Sequence, residues 1–310
     1  MINFLKYRKF YLLISLLVLI PGIYSLINWG LKPSIDFVGG TVIEAQSTEI
    51  NAQNFEEAFK TKNIEVESIQ QQTENTIVVR TKPIDREKWE EVKFSLDPEA
   101  TISATPSAIL TALTPAATVS ARLVETRFES VGPVLGQELL NKTMIAAAIA
   151  IIGILLYIAW AFKDFNFGIS AIIALFHDVL VVLGIFSLLG HFYGVEVDVL
   201  FVTALLTTMS FSVHDTIVVF DRIRESQRKE SLQLEKTINK SLTETMVRSL
   251  NNSMTIVFML LALVLLGGDT IRWFVVALLI GTISGTYSSP FVATPILYLL
   301  KKKKKILNLQ

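Results

Sequence analysis

The stretch SFSVHDTIVVFDRIRE, residues 210–225, joins the end of a long apolar run to a dense patch of charge. The apolar run extends from Val199 to Phe220, which is long enough to cross about 30 Å of hydrocarbon at 1.5 Å per residue. His214 and Asp215 lie inside that run. An ionisable side chain at this depth costs about 2.5–3.5 kcal/mol where it faces lipid, so we expect Asp215 to face protein or water.

The whole chain has the composition of an integral membrane protein. Hydrophobic residues make up 51% of its 310 residues, and the mean hydropathy is +0.51 because long apolar segments are concentrated in particular places. The formal net charge is +0, so overall charge gives no information about a nucleic-acid or an acidic partner. The absence of cysteine excludes disulfides, thiolate metal sites and a cysteine nucleophile.

Six segments are long and apolar enough to span a membrane, and we therefore predict six transmembrane helices. The first follows three basic residues and could be mistaken for a signal peptide, but it continues past Pro21 with no A-x-A cleavage pattern, which favours an uncleaved anchor. The sixth is long enough to tilt or break. The predicted spans are Phe10–Trp29, Thr143–Phe162, Gly168–Leu189, Val199–Phe220, Met246–Leu266 and Ile271–Leu300.

The distribution of lysine and arginine predicts the orientation of these spans. Basic residues flank the start of the first span, fill the loop at 221–245 and form the run KKKKK at 301–305, whereas the short loops after the third and fifth spans carry little positive charge. Because basic loops stay in the cytoplasm, both termini and the 221–245 loop are predicted to be cytoplasmic. The lysine run is interpreted as a topological anchor of the 301–310 tail, with a lipid or partner site as the alternative.

Residues 31–140, between the 1–30 segment and the 141–300 bundle, are predicted to form one extracytoplasmic domain. Alternating and helical patterns follow each other in the order β-α-β-α-β, which is typical of a small α+β ferredoxin-like sandwich. An Ala/Thr/Pro-rich stretch at 100–120 is predicted to be loop or a short helix. No metal-ligand cluster or catalytic constellation is evident in this domain, so we expect it to contact a polypeptide. The predicted strands are 41–47, 76–82 and 123–131, and the predicted helices are 54–63 and 85–96.

The fifth span offers a partner for Asp215. Its strictly apolar part, Met254–Leu266, is only about 20 Å long, so the helix must begin a turn or two earlier, which draws Arg248, Asn251 and Asn252 towards the bilayer. Asp215 lies about 24 Å from the outer end of its helix and Arg248 about 27 Å from the outer end of the next. Similar heights on antiparallel neighbours predict an Asp215–Arg248 pair, either static near the inner interface or involved in proton handling.

Ordered motifs along the chain resemble the SecF proteins of the SecD/SecF protein-export family. This family carries a G-I-D-F-x-G-G-T signature after its first span, here with Asp36, Gly39, Gly40 and Thr41, and an H-D pair in its third span. Two residues depart from the family pattern: Ser34 replaces a glycine, and His214 replaces an asparagine. The motifs are SIDFVGGTVIE (34–44), VGPVLGQEL (131–139), ALFHDVLVVLGIFSL (174–188), DTIVVFDRIRE (215–225), NKSLTETMVRSL (239–250), LGGDTIRWF (266–274) and IGTISGTYSS (280–289).

The resemblance implies a fold and a task. The fold is half of a pseudo-symmetric resistance-nodulation-division core, with a SecD-like partner supplying six matching spans in the bacterial cytoplasmic membrane. The task is to draw preproteins across the membrane with the proton-motive force, together with the SecY channel and the SecA motor. The family's essential acid matches Asp215 and its arginine matches Arg248. We expect no enzyme activity and no cofactor beyond the gradient of the coupling ion, H⁺ or Na⁺.

Several polar or small residues are weaker candidates. His177 and Asp178 are predicted either to extend a proton path or to support helix packing. His214 lies about 100° around the helix from Asp215 and is expected to face another helix. Gly281 and Gly285 form a G-x-x-x-G spacing that predicts close helix contact, with SecD as one candidate partner. A hydrolase is disfavoured because no G-x-S-x-G is present.

Two other functions remain open from the sequence. The chain could be a half-transporter of the same superfamily that exports lipid or small molecules, although such exporters normally carry both six-span halves in one longer chain. It could also be a passive scaffold that only stabilises the translocon. Proton flux and crosslinking to an exported chain distinguish these possibilities from driven protein export.

Overall fold

The computed structural model describes residues 3–47, 50–71, 75–97, 123–162, 164–229 and 233–307. The chain divides into two compact units, a helical unit of Met1–Lys32 with Thr143–Gln310 and a sheet-containing unit of Pro33–Lys142. The 100–120 segment, predicted to be loop or a short helix, lies outside the described residues.

Ten α-helices and four β-strands, together with two short turns, make up the described parts of the chain. They are, in order, a 3₁₀ turn (Phe4–Tyr7), α1 (Arg8–Asn28), α2 (Ile35–Val38), β1 (Gly40–Ser47), α3 (Ala52–Thr61), β2 (Val66–Gln71), β3 (Thr76–Thr81), α4 (Arg86–Leu96), β4 (Leu123–Val131), α5 (Pro133–Ala161), α6 (Phe165–Tyr193), α7 (Val199–Lys229), α8 (Leu234–Leu266), α9 (Asp269–Ser288), a π-helical turn (Ser289–Ala293) and α10 (Thr294–Leu307).

Within the described ranges, six helical segments are long and apolar enough to cross a membrane, which agrees with the number of spans predicted from the sequence. They are α1 with its preceding turn, α5, α6, α7, α8 and the last segment, which runs from α9 through α10. Between 44% and 56% of the apolar windows of α6, α7 and the last segment is buried within the chain, against 6% for α5 and 11% for α8. The bundle therefore has α6, α7 and α9 at its centre, with α5 and α8 outside.

The sixth span, predicted from its length either to tilt or to break, is interrupted at the π-helical turn Ser289–Ala293. Pro290 has no backbone N–H and cannot continue a regular α-helical hydrogen-bond pattern. The Thr294 hydroxyl donates to the Ser289 carbonyl at 3.0 Å and so satisfies a carbonyl near the irregular turn. A π turn of this kind often accompanies a functional site, and this one follows directly after the serines described below.

The Pro33–Lys142 unit is an antiparallel sheet with strand order β2-β3-β1-β4 and two helices, α3 and α4. Its core is formed by Phe55, Phe59 and Trp89 packed with apolar side chains of β1 and β3. The order β-α-β-β-α-β is that of a ferredoxin-like sandwich and confirms the predicted fold class. The prediction of three strands was wrong, because β2, with the sequence VESIQQ, is a half-exposed edge strand with a weak apolar pattern.

Glu125 on β4 joins the second helix of this unit to the sheet. Trp89 donates from Nε1 to Glu125 Oε2 at 2.7 Å, and Arg86 donates to both carboxylate oxygens at 2.5 and 3.0 Å. Burial acts to lower the pKa of Arg86, but the hydrogen bonds and charge of Glu125 outweigh it and raise that pKa. This bidentate pair ties α4 to strand β4.

Candidate functional site

The centre of the helical unit contains a buried carboxylate that is bound by three serines. Asp178 on α6 is 4% exposed and accepts hydrogen bonds from Ser212 on α7 at 2.5 Å, and from Ser284 and Ser288 on α9 at 2.6 Å each. His177 Nδ1 lies 3.0 Å from the same carboxylate. We call Asp178, Ser212, Ser284 and Ser288 the Asp178 cluster. Since its members come from three helices, the cluster ties α6, α7 and α9 together inside the bundle.

The short distances indicate how the carboxylate is stabilised. Hydroxyl-to-carboxylate contacts of 2.5–2.7 Å are typical of charge-assisted hydrogen bonds, and an ionised carboxylate has acceptor sites for all three donors. Two of the serines bind Oδ2 and the third binds Oδ1, so both oxygens of Asp178 are satisfied. An isolated charge here would be very costly, and the hydroxyl groups replace the water that it has lost.

Asp215 lies one helical turn beyond Ser212 on α7 and is also buried, with 7% of its surface exposed. Its Oδ1 accepts a short hydrogen bond from the Ser249 hydroxyl on α8. The Ser289 hydroxyl lies close to the carboxyl group but pairs with Thr216 at 2.9 Å. Within the described part of the chain, Asp215 Oδ2 is buried without a hydrogen-bond partner. The two acids therefore differ, because Asp178 is fully satisfied and Asp215 is not.

The expected pair between Asp215 and Arg248 is not formed in this structure. Arg248 is exposed on α8, and the side chain that reaches Asp215 is that of its neighbour, Ser249. The height estimated from the helix rise was correct to within one residue. That estimate concerned depth alone. Consecutive side chains leave a helix about 100° apart, so depth carries no information about which of them points at Asp215.

The remaining polar candidates lie in different surroundings. His177 is buried beside Asp178, with its ring centroid 6.3 Å from that of Tyr287, and its Nε2 has no hydrogen-bond partner among the described residues. His214, about 100° from Asp215, was expected to face another helix and is instead exposed. Asn251 and Asn252 are exposed on α8 and do not reach the buried acids. Of these four residues, only His177 belongs to the site.

Gly281 and Gly285 allow α9 to approach α7 closely. A Cβ added to Gly281 would lie 2.4 Å from Thr208 Cγ2, and one added to Gly285 would lie 3.0 Å from Ser212 Cβ. The predicted close helix contact is therefore made within the chain rather than with another subunit. It brings Ser284 and Ser288 to the carboxylate of Asp178.

The signature glycines lie in the Pro33–Lys142 unit and have a structural role. Gly39 and Gly40 have φ values of 78° and 136°, and a Cβ on Gly39 would lie 2.7 Å from Pro133 Cα. Thr41 accepts from the Ile84 backbone N–H at 2.9 Å, while Asp36 lies in the short helix α2. The motifs around residues 34–44 and 131–139 thus pack against each other.

Ser34, the first departure from the expected signature, has a clear function in this turn. Its side chain accepts a hydrogen bond from the Asp36 backbone N–H at 3.3 Å and caps α2. Serine is among the favoured residues at such a position. The substitution therefore preserves the turn by a different means.

Three serines of the site were not predicted from the sequence, because serine is a common residue and carries no charge. Ser249, Ser284 and Ser288 were not among the predicted candidates, yet they supply most of the donors to the two acids. One signal was available: the run IGTISGTYSS places serines four residues apart on an otherwise apolar span, and such a polar stripe must face protein. Within the described residues, no group of three or more His, Asp or Glu side chains could hold a metal ion.

Comparison with known proteins places these residues in a family context. Residues 111–303 match the family model described as "Protein export membrane protein SecD/SecF, C-terminal". The chain is 44% identical to "Protein translocase subunit SecF" of Thermobaculum terrenum, over 96% of this chain and 93% of that protein. It is 39% identical to the protein of the same description from Anaerolinea thermophila, over 95% of this chain and 92% of that protein.

A solved structure has the same fold. The crystal structure of SecDF, a translocon-associated membrane protein from Thermus thermophilus, superimposes with a TM-score of 0.77 at 29% identity and covers 97% of this chain. A second SecDF structure, in a super-membrane-facing form, gives a TM-score of 0.66 at 28% identity and covers 99% of this chain. The chain spans 39% and 40% of those two proteins respectively.

Proposed function

Because the chain belongs to the SecD/SecF family of protein-export membrane proteins, we propose that this protein translocase subunit is driven by protons that bind to Asp215. It is a multi-pass bacterial membrane protein, and its relatives are described as protein translocase subunits. The observation that supports the proton-carrying role is the unpaired Oδ2 of Asp215 in the buried centre of the bundle.

The environment of Asp215 suits a group that gains and loses a charge. An ionised carboxylate buried inside a membrane bundle needs a cation or several donors, and in this structure one oxygen has neither. A protonated carboxyl would need less compensation and could donate from Oδ2. Both oxygens of Asp178 already accept hydrogen bonds, whereas one oxygen of Asp215 has no partner in the described chain, so we assign the proton-carrying role to Asp215.

Arg248 supplies the positive charge that would compensate an ionised Asp215. Arg248 and Ser249 are adjacent on α8, so a turn of that helix about its axis, aided by the length of the arginine side chain, would exchange Ser249 for the guanidinium. We propose two states, one with Asp215 bonded to Ser249 and the other with ionised Asp215 paired to Arg248. Since arginine stays protonated, the aspartate is the group that carries the proton.

The Asp178 cluster determines which helices move. Helices α6, α7 and α9 are linked by three short hydrogen bonds, whereas α8 lies outside with most of its apolar window exposed. Rotation of α8 against the three linked helices is therefore the least hindered change. Each proton that crosses 100 mV supplies about 2.3 kcal/mol, which biases a two-state equilibrium by more than tenfold.

The partners follow from the family and from the exposed faces of the bundle. A SecD-like protein with six spans is supported by the likeness to SecDF, of which this chain covers 39%, and the exposed α5 offers apolar surface for it. We further propose that the complex works with the SecY channel and the SecA motor. The Pro33–Lys142 unit would contact the preprotein outside, with both termini in the cytoplasm as the basic residues indicate.

Export by reconstituted vesicles tests this function. The chain, its SecD-like partner, SecY and SecA are placed in proteoliposomes, and preprotein transport is measured with and without an imposed proton gradient. Asp215→Asn keeps the volume but cannot ionise, so the gradient should no longer stimulate transport. Asp221→Asn, an exposed acid on the same helix, is the matched control and should behave like the parent protein. Normal gradient-driven transport by Asp215→Asn would refute the proposal, and a complex that stimulates without any gradient would identify a scaffold.

A further inference from the structure

A basic cavity lies in the helical unit where α1 begins and α10 continues. Its volume is about 340 Å³, and its lining includes Lys6, Arg8 and Lys9 from the start of the chain and Lys302 from α10. Glu235, at the beginning of α8, contributes the opposing charge. Four positive groups against one carboxylate leave a formal excess of about three positive charges in a small space.

The one acidic side chain in the cavity lining, Glu235, is hydrogen-bonded to a neutral hydroxyl group. Glu235 Oε2 accepts a hydrogen bond from the Tyr298 hydroxyl at 3.2 Å. Among the described residues, none of the four cationic side chains forms an ion pair with a carboxylate. The cavity therefore offers several N–H donors that have no anionic partner within the described chain.

Aromatic rings hold three of the cations in place. The Arg8 guanidinium lies 5.2 Å from the centroid of the Tyr298 ring, the Lys302 ammonium lies 5.9 Å from the same centroid, and Lys6 lies 5.7 Å from the ring of Tyr7. Such contacts attract the cation without using its hydrogen-bond donors. The positive groups are thus positioned in advance for an oxygen-rich anion.

We propose that this cavity binds the phosphate of an anionic phospholipid. A phosphodiester accepts hydrogen bonds from several lysine and arginine side chains at once, and basic pockets between transmembrane helices suit such headgroups. The surface of α1 next to the cavity is apolar and exposed: Phe10 is 58%, Leu13 60% and Leu17 69% exposed. These side chains follow each other at three- and four-residue spacing, so acyl chains can lie along the same helix face. The continuity of basic cavity and apolar face favours a lipid over a free phosphate, and the inference does not depend on proton coupling.

Lipid titration of the full-length protein in mild detergent tests the site. Short-chain phosphatidylglycerol is compared with phosphatidylcholine of the same chain length, and inorganic phosphate is added as a competitor. The anionic lipid should bind at least tenfold more tightly than the zwitterionic one. Arg8→Gln combined with Lys302→Gln should weaken that binding about 30-fold, since each basic group near such a headgroup contributes about 1 kcal/mol.

Two further variants keep the test independent of folding defects. Arg228→Gln combined with Lys236→Gln removes the same charge from exposed positions outside the cavity and should change affinity less than threefold. Glu235→Gln removes the one opposing acid and should tighten binding of the anionic lipid about fivefold. Equal affinity for the two lipids, or equal losses in the cavity and control variants, would overturn the proposal. Competition by inorganic phosphate at the concentration of the lipid would assign the cavity to free phosphate instead.

Discussion

Replacing Asp178 by asparagine should loosen the centre of the bundle without removing the proton carrier. The carboxylate accepts hydrogen bonds from three serine hydroxyls at 2.5–2.6 Å. In asparagine, one of the two acceptor oxygens is replaced by an amide nitrogen, which cannot accept a hydrogen bond. Hydrogen bonds to a charged group contribute about 1.5–3 kcal/mol and neutral ones about 0.5–1.5 kcal/mol. The loss is therefore about 1 kcal/mol for each of three bonds, or about 3 kcal/mol in total.

Thermal unfolding of the purified protein in detergent measures this loss. At about 2–4 °C for each kcal/mol, Asp178→Asn should lower the transition by roughly 6–12 °C. Ser284→Ala removes one donor and should give about a third of that shift. Thr203→Ala is the control, because the Thr203 hydroxyl is exposed and bonds only the Val199 carbonyl of its own helix. An unfolding temperature of Asp178→Asn equal to that of the Thr203 variant, or a full additional effect of Ser284→Ala in the Asp178→Asn background, would contradict the stabilising role of these hydrogen bonds.

Three further outcomes follow from the contacts. Gly281→Ala should destabilise the protein by about 1–3 kcal/mol, because its Cβ would overlap Thr208. Adding Thr208→Gly should recover only part of that loss, because a glycine within a helix is itself destabilising. Gly153→Ala, with open space around it, should be silent in the same unfolding assay. Gly39→Ala should reduce the yield of folded full-length protein, measured by size-exclusion chromatography. The φ of 78° at Gly39 and its close neighbours both exclude a side chain. A normal yield would show that the turn is dispensable. Arg248→Gln should abolish stimulation of transport by a proton gradient while leaving thermal stability unchanged, because its side chain is exposed in this state; full stimulation would remove arginine from the mechanism.

The sequence predicted the parts of the fold that depend on hydrophobicity along the chain. The number of spans and the boundaries of β4 follow from apolar runs and alternation, which are local properties, whereas the length of the last span left open whether it would tilt or break. The edge strand β2 was missed because half of its residues face solvent and its pattern is mostly polar. Edge strands obtain their order from the neighbouring strand, here β3, more than from their own composition.

The candidate site was predicted in depth along the helices but not in rotation about them. The rise per residue placed Asp215 level with the stretch around Arg248, and the structure brings Ser249 to the acid instead. Rotation depends on packing between helices, which is determined by small residues such as Gly281 against Thr208 and is not visible in either helix alone. For the same reason, the sequence indicated Asp178 only weakly, since its three donors come from two other helices.

The central claim is that Asp215 exchanges Ser249 for Arg248 when it loses its proton, and a distance measurement between α7 and α8 tests it most directly. The chain contains no cysteine, so spin labels can be placed at Asp221→Cys on α7 and Val247→Cys on α8, both exposed, without background labelling. In proteoliposomes with the SecD-like partner, the distance distribution should shift between low and high pH, and Asp215→Asn should hold it in the low-pH form at every pH. A distribution that does not change with pH, or that changes equally in Asp215→Asn, would contradict the account.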